Sequence, residues 1–177
     1  MTNGYDEAKG QRNLLERIAA KIPGFRGFQD RELRRDVDRL EREHLASEVG
    51  RLKAVVRERA RAYTDAGRIG SLQGFDRLDR QMDGLAQAIR FSDYGATGLF
   101  DPVKIGEAEL ARIYEFDLSV LQDLSEVESA VAAIPAPGGD DPAAALDRAL
   151  ARVGALADKW RGREQVVGGV VQTGKGA

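Results

Sequence analysis

Between residues 30 and 66, apolar side chains return at steps of three and four: Leu33, Val37, Leu40, Leu45, Val49, Leu52, Val56 and Tyr63, with a slip of phase between Leu40 and Leu45. Residues 107 to 134 repeat the pattern with Leu110, Ile113, Leu121, Leu124, Val127, Val131 and Ile134. Steps of this kind put each set on one face of a helix, and an apolar helical face in water must be covered. Two shorter sets accompany them, Leu72, Phe75, Leu78, Met82, Leu85 and Ile89 in one, Leu146, Leu150, Val153, Leu156 and Trp160 in the other. Four amphipathic helices predict an all-α fold, a bundle with coiled-coil-like packing. At 1.5 Å per residue the first stripe would span about 55 Å, so an elongated bundle is expected.

A fifth, short helix is expected at the N-terminus, from about Glu7 to Lys21, with Leu14, Leu15, Ile18 and Ile22 on one face and Pro23 and Gly24 ending it. Phe28 is placed to staple against Leu33, with Gln29 and Glu32 at cap and third positions, so helix two should begin near Asp30. Gly67 and Gly70 flank the turn into helix three. The segment SDYGATGLFDPVKIG, residues 92 to 106, breaks helical periodicity with three glycines and a proline, yet keeps Tyr94, Leu99, Phe100, Val103 and Ile105 apolar. A loop that plugs one end of the bundle is expected there, with a binding loop using Tyr94 and Phe100 as the alternative.

Pro135, Pro137, Gly138 and Gly139 mark a linker, and Asp141 followed by Pro142 reads as a cap plus first-position proline. The expected organisation is therefore a helical core over 1–134, a Pro/Gly linker over 135–141, a C-terminal helix over 142–165 that packs on the core, and a flexible tail over 166–177. The helix should stop near Arg163, because VVGGVVQTGKGA has little apolar bulk to bury. Beyond the shared helical period there is no internal repeat, so a solenoid is not expected.

Composition narrows the function classes more than it selects one. A chain of 177 residues that is 42% hydrophobic and 32% charged suits one globular domain with a broad solvated surface. A net charge of −2 is too small to demand a nucleic-acid or membrane partner. With no cysteine there is no disulfide, thiolate nucleophile or thiolate metal site, which suits a cytoplasmic location. The opening MTNGYDEAKG lacks the basic start and apolar middle of a secretory signal, and no apolar run approaches the roughly 20 residues of a membrane span.

Several spacings invite chemistry. Gly169, Gly174 and Lys175 match a phosphate-binding loop, but Gly176 stands where the hydroxyl is needed, and no helix follows to face the phosphate. Glu41 and His44 share a helical face in the Glu-x-x-His spacing of di-iron bundles, which need that pair twice, whereas His44 is the only histidine. Asp117 falls on the stripe between Ile113 and Leu121, so its carboxylate should be buried. The expected partner is an arginine in an interhelical, register-fixing ion pair, the alternative a ligand-facing acid. Residues 101 to 134 carry eight acids against Lys104 and Arg112, while Lys53, Arg57 and Arg61 align as a basic ridge on helix two.

These readings lead to a non-catalytic helical scaffold or adaptor that binds protein, either a partner or a second copy of itself. No cofactor, metal or small-molecule substrate is expected, and an enzyme is the less favoured class. The interaction residues expected are Lys53, Arg57, Arg61, Tyr94, Phe100 and Asp117. Docking on an anionic surface, nucleic acid or membrane, through the ridge of helix two is the rival, and a metal- or ligand-binding helical protein using Glu41, His44 and Asp117 the third.

Overall fold

The computed structural model describes residues 13–14, 16–22, 33–92 and 107–173. The fold is all-α. A short N-terminal helix, α1, covers residues 16–21. It is followed by α2 (Leu33–Asp65), α3 (Leu72–Phe91), α4 (Glu107–Ala132) and α5 (Ala143–Thr173), with a single 3-10 turn at Ile69–Ser71 between α2 and α3. The expected Phe28 staple, the cap positions Gln29 and Glu32, and the loop bearing Tyr94 and Phe100 lie outside the described residues.

By their contacts the residues fall into two compact units. The first comprises Met1–His44, Ser92–Leu121 and Lys159–Ala177, the second Leu45–Phe91 and Gln122–Asp158. Helices α2, α4 and α5 each contribute to both, α3 lies wholly in the second, and the Pro/Gly segment after α4 falls inside the second unit.

The second unit is built as the stripes predict. Leu45, Val49, Leu52, Val56 and Tyr63 of α2 are buried at steps of three, four and seven, and so are Phe75, Leu78, Met82, Leu85 and Ile89 of α3. On α5 the inward position after Leu146 is Ala149, and Leu150 is only half-buried. Steps of three and four from Leu146 to Ala149, Val153, Leu156 and Trp160 hold the phase better than the larger Leu150 does. Small residues also set how close the helices come. A Cβ built on Gly74 of α3 would lie 2.8 Å from Cδ1 of Leu146 on α5, so a larger residue there requires the end of the Leu146 side chain to shift.

The two turns at one end of this unit are held by backbone and side-chain bonds together. At the end of α2, the Gly67 N–H donates to the Thr64 carbonyl at 2.9 Å and the Arg68 N–H to the Tyr63 carbonyl at 2.9 Å, with Gly67 at φ 71°. This is a Schellman cap, and its left-handed residue is the glycine that tolerates it without cost. Arg68 then lies over the Tyr63 ring, 5.4 Å from its centroid, and donates to the carbonyls of Pro137 at 2.7 Å and Gly139 at 3.1 Å. Tyr63 Oη donates to the Pro135 carbonyl at 3.1 Å and Arg59 to that of Ile134 at 2.5 Å. Carbonyls of the corner after α4 are thereby satisfied by Arg59 and Tyr63 of α2 and by Arg68 of the turn that follows it. The expected linker is a tethered corner, and its last residues start α5 as predicted: the Ala143 N–H donates to Asp141 Oδ1 at 3.3 Å, and the Leu146 N–H to the Pro142 carbonyl at 2.8 Å.

In the first unit, Ile18 and Ile22 close the inner side of the N-terminal segment, and Ile113, Tyr114, Leu118, Val120, Leu121 and Trp160 are buried on α4 and α5. Helix α5 departs from expectation at its end. Its backbone remains helical to Thr173 rather than stopping near Arg163. Neither Gly168 nor Gly169 breaks it, since a glycine within a helix costs only about 1 kcal/mol and no proline follows.

Candidate functional site

The phase slip between Leu40 and Leu45 is where structure and hydrophobic pattern part. Counting back four from Leu45 reaches Glu41, not Leu40, and the helix keeps its phase: Glu41 is buried to 1% exposure while Leu40 is half-buried. On α4, Asp117 follows Ile113 by four and is likewise buried. Both carboxylates belong to the first unit and meet one cation from α5. Arg163 Nε donates to Asp117 Oδ1 at 3.1 Å and Nη2 to Oδ2 at 3.4 Å, a two-point contact, while Nη2 lies 3.6 Å from Glu41 Oε2. Planar guanidinium suits this arrangement, because its donors diverge in a fixed fork that a lysine lacks.

The surroundings support the same guanidinium. Arg163 stands 5.3 Å from the centroid of the Trp160 ring, one helical turn earlier, a cation–π contact in a setting with little water. Nearby, Lys159 donates to the Ser119 carbonyl at 3.4 Å and Arg42 to the Ser92 carbonyl at 3.2 Å. Ser119 Oγ turns back to donate to the Phe116 carbonyl at 2.6 Å. The expected interhelical ion pair of Asp117 is thus present, and it includes Glu41, which the Glu-x-x-His spacing had marked for a different chemistry. Glu41 faces arginine. His44, three residues on, is half-buried, and no group of three His, Asp or Glu side chains able to hold a metal occurs among the described residues.

A buried cluster of this composition can do two things. It fixes register, since sliding α4 or α5 by one turn would separate charges that water no longer screens. It also makes the unit sensitive to loss of any one member, because breaking a buried pair costs roughly 3 to 5 kcal/mol even where replacing all of it with apolar groups would be neutral.

The basic ridge of α2 lies in the second unit and is turned toward α3. Lys53 bonds to Asp83, with Asp79 3.9 Å away, and Arg57 makes a two-point contact with Asp79 at 2.6 and 3.1 Å. The Lys53 bond holds the Asp83 carboxyl below its ordinary range, and the bond to Asp79 raises the guanidinium of Arg57 above its own. Arg61, one turn further, is exposed and has no ion pair among the described residues. Two acids of α4 are also met, Glu128 by Arg51 at 2.6 Å and Glu126 by Arg152 at 2.6 Å. The bonds to Glu128 and then Glu48 raise the Arg51 guanidinium. Of the residues resembling a phosphate-binding loop, Gly169 lies within helix α5, where backbone amides bond along the helix rather than toward a ligand. No helix among the described residues is long and apolar enough to cross a membrane.

Of the six residues expected to interact, Lys53 and Arg57 come together with acids of α3, Asp117 joins the buried cluster, Arg61 stands alone, and Tyr94 and Phe100 lie outside the described residues. Glu41 and Arg163 are the members that the hydrophobic reading passed over. The usable signal was the four-residue step from Glu41 to Leu45. No family model, curated protein or solved structure matches this chain.

Proposed function

We propose that the chain is a non-catalytic helical scaffold or adaptor that works by binding protein, a second copy of itself included. What supports this reading is where the charges go. Buried carboxylates that a catalytic or metal site would use face Arg163 instead, and two of the three ridge cations face α3. Long helices with outward faces remain, and two large apolar side chains, Ile69 and Phe91, stay exposed at 69% and 74%. Single exposed apolar residues are ordinary on a surface, so these two are handles for the test rather than a mapped interface.

Docking on nucleic acid or an anionic membrane loses its main support with the ridge. Lys53 and Arg57 would have to leave Asp79 and Asp83 before meeting a phosphate, and only Arg61 is ready to do so.

Light scattering on the full chain over a range of concentrations tests the proposal. A mass above the 19.3 kDa of one chain, rising with concentration and reduced by serine at Ile69 or Phe91, is the expected result. A mass of one chain at every concentration would remove self-association from the reading. Binding to DNA or anionic vesicles that falls steeply with salt would replace it with the rival.

A further inference from the structure

The two units are closed by different means. In the second, the buried side chains are apolar, the Met82 thioether included, apart from the Tyr63 hydroxyl, which is bonded, and every hydrogen bond and ion pair described for its ridge, corner and turn joins residues of that unit. In the first, two of the buried side chains among the described residues are carboxylates, and both face one guanidinium. The segments of α2, α4 and α5 in the first unit end at His44, Leu121 and Lys159, and losing helix up to those limits shortens helices that already exist, which needs no new nucleus.

From this we infer that the first unit opens as a separate cooperative body while the second stays folded, with Arg163 as the residue that holds it closed. Opening hydrates Glu41, Asp117 and Arg163 together, which returns part of the desolvation penalty that offsets their attraction in the closed state. Unwinding the second unit has no such compensation, since it exposes hydrocarbon. Local opening that follows supersecondary limits is how proteins distribute their stability, and its free energy lies below that of global unfolding. The inference is independent of the association proposed above and stands or falls by its own test.

The chain carries its own reporter. Trp160 is the only tryptophan, is buried in the first unit, and touches Arg163. Unfolding of the full chain in urea, followed by tryptophan fluorescence and by far-ultraviolet circular dichroism, should give two transitions, the fluorescence change finishing first while helix signal persists. In native hydrogen exchange read by mass spectrometry, amides over 112–121 should exchange roughly a hundredfold faster than those over 72–91 and 124–131. In Arg163→Met the fluorescence transition should move to lower urea and leave the late part of the dichroism transition in place. Arg163→Lys, which keeps the charge but not the fork, should fall between.

Coincident transitions in the unaltered chain, or equal exchange across 112–121 and 72–91, would overturn the inference. So would an Arg163→Met chain that shifts both probes equally or fails to fold, since either makes the chain one cooperative body. The comparison in the unaltered chain does not depend on any variant.

Discussion

The second unit keeps its ions outside and its carbon inside, while the first buries charge among its helices. Arg57 with Asp79 and Arg51 with Glu128 are partly exposed pairs in high dielectric, where attraction is small and is weakened further by salt. Arg163 with Asp117 and Glu41 is the same chemistry moved out of water, where attraction is stronger but desolvation nearly cancels it, so that the cluster contributes register more than stability. One helix illustrates both regimes. Along α4, Asp117 is buried in the first unit and Glu126 and Glu128 sit at the rim of the second. Carboxylates on one helix thus have opposite energetic standing according to which side of the apolar stripe they fall on.

Asparagine at Asp117 tests the contrast hardest. It keeps the shape and an acceptor for Arg163 but removes the charge. We expect a loss of roughly 3 kcal/mol, the low end for breaking a buried pair, because Glu41 still faces the guanidinium. The midpoint of the tryptophan transition in urea measures it, and an unchanged or raised midpoint would make Asp117 a ligand-facing acid kept at a stability cost.

A smaller effect sharpens the account of the second unit. Alanine at Gly74 gains about 0.5 to 1 kcal/mol of helix propensity but pushes a methyl into Leu146, and overpacking of that kind costs about 1 to 3 kcal/mol. Net destabilisation of about 1 kcal/mol is expected. On the same helix Gly84 is exposed and a Cβ there meets nothing within 4 Å, so alanine should stabilise by about 0.5 to 1 kcal/mol. A thermal melt in which alanine at Gly74 stabilises, as alanine at Gly84 should, would show that Leu146 yields to the added methyl.

The least effect should come from the surface ions. Because Lys53 depresses the Asp83 carboxyl in the folded chain, the pair contributes above the carboxyl's unfolded value, and the contribution is lost as pH falls through the depressed folded one. In Lys53→Met, which retains the buried stem, the Asp83 titration followed by NMR should move up to the ordinary carboxylate range, with little change in Tm, and high salt should narrow the difference between the two chains. An Asp83 titration that ignores the substitution would mean the pair is not formed in solution.

Much of this was legible beforehand. Every stripe position expected on α3 from Phe75 to Ile89 is buried, Asp141 caps α5, Gly67 takes the left-handed turn, and Asp117 faces inward to an arginine. These depend on spacing within one helix or on the conformational needs of one residue, and both are written locally. Glu41 was missed because a search for apolar residues skips a charged one even when it holds the phase, and Leu150 was over-read for the opposite reason, a large apolar side chain one place out of step.

Sequence by itself determined that four long helices occur and, apart from Leu40 and Leu150, which positions turn inward, though not where α5 ends, since faces and starts follow from a 3.6-residue period and from caps that lie within a few residues of their targets. Only the tertiary structure decided which charges are neighbours. Arg163 lies 46 residues from Asp117 and Arg68 lies 69 from Pro137, and no local spacing encodes such a meeting. The same holds for the division into two units, because it arises from which helix segments share a core, and for the close approach at Gly74, which has meaning only once Leu146 is set opposite it. Periodicity constrains a helix face by the cost of wetting carbon, which every apolar residue shares. Partner choice among 27 cations and 29 acids is set by distances of a few ångströms that exist only after the chain has packed.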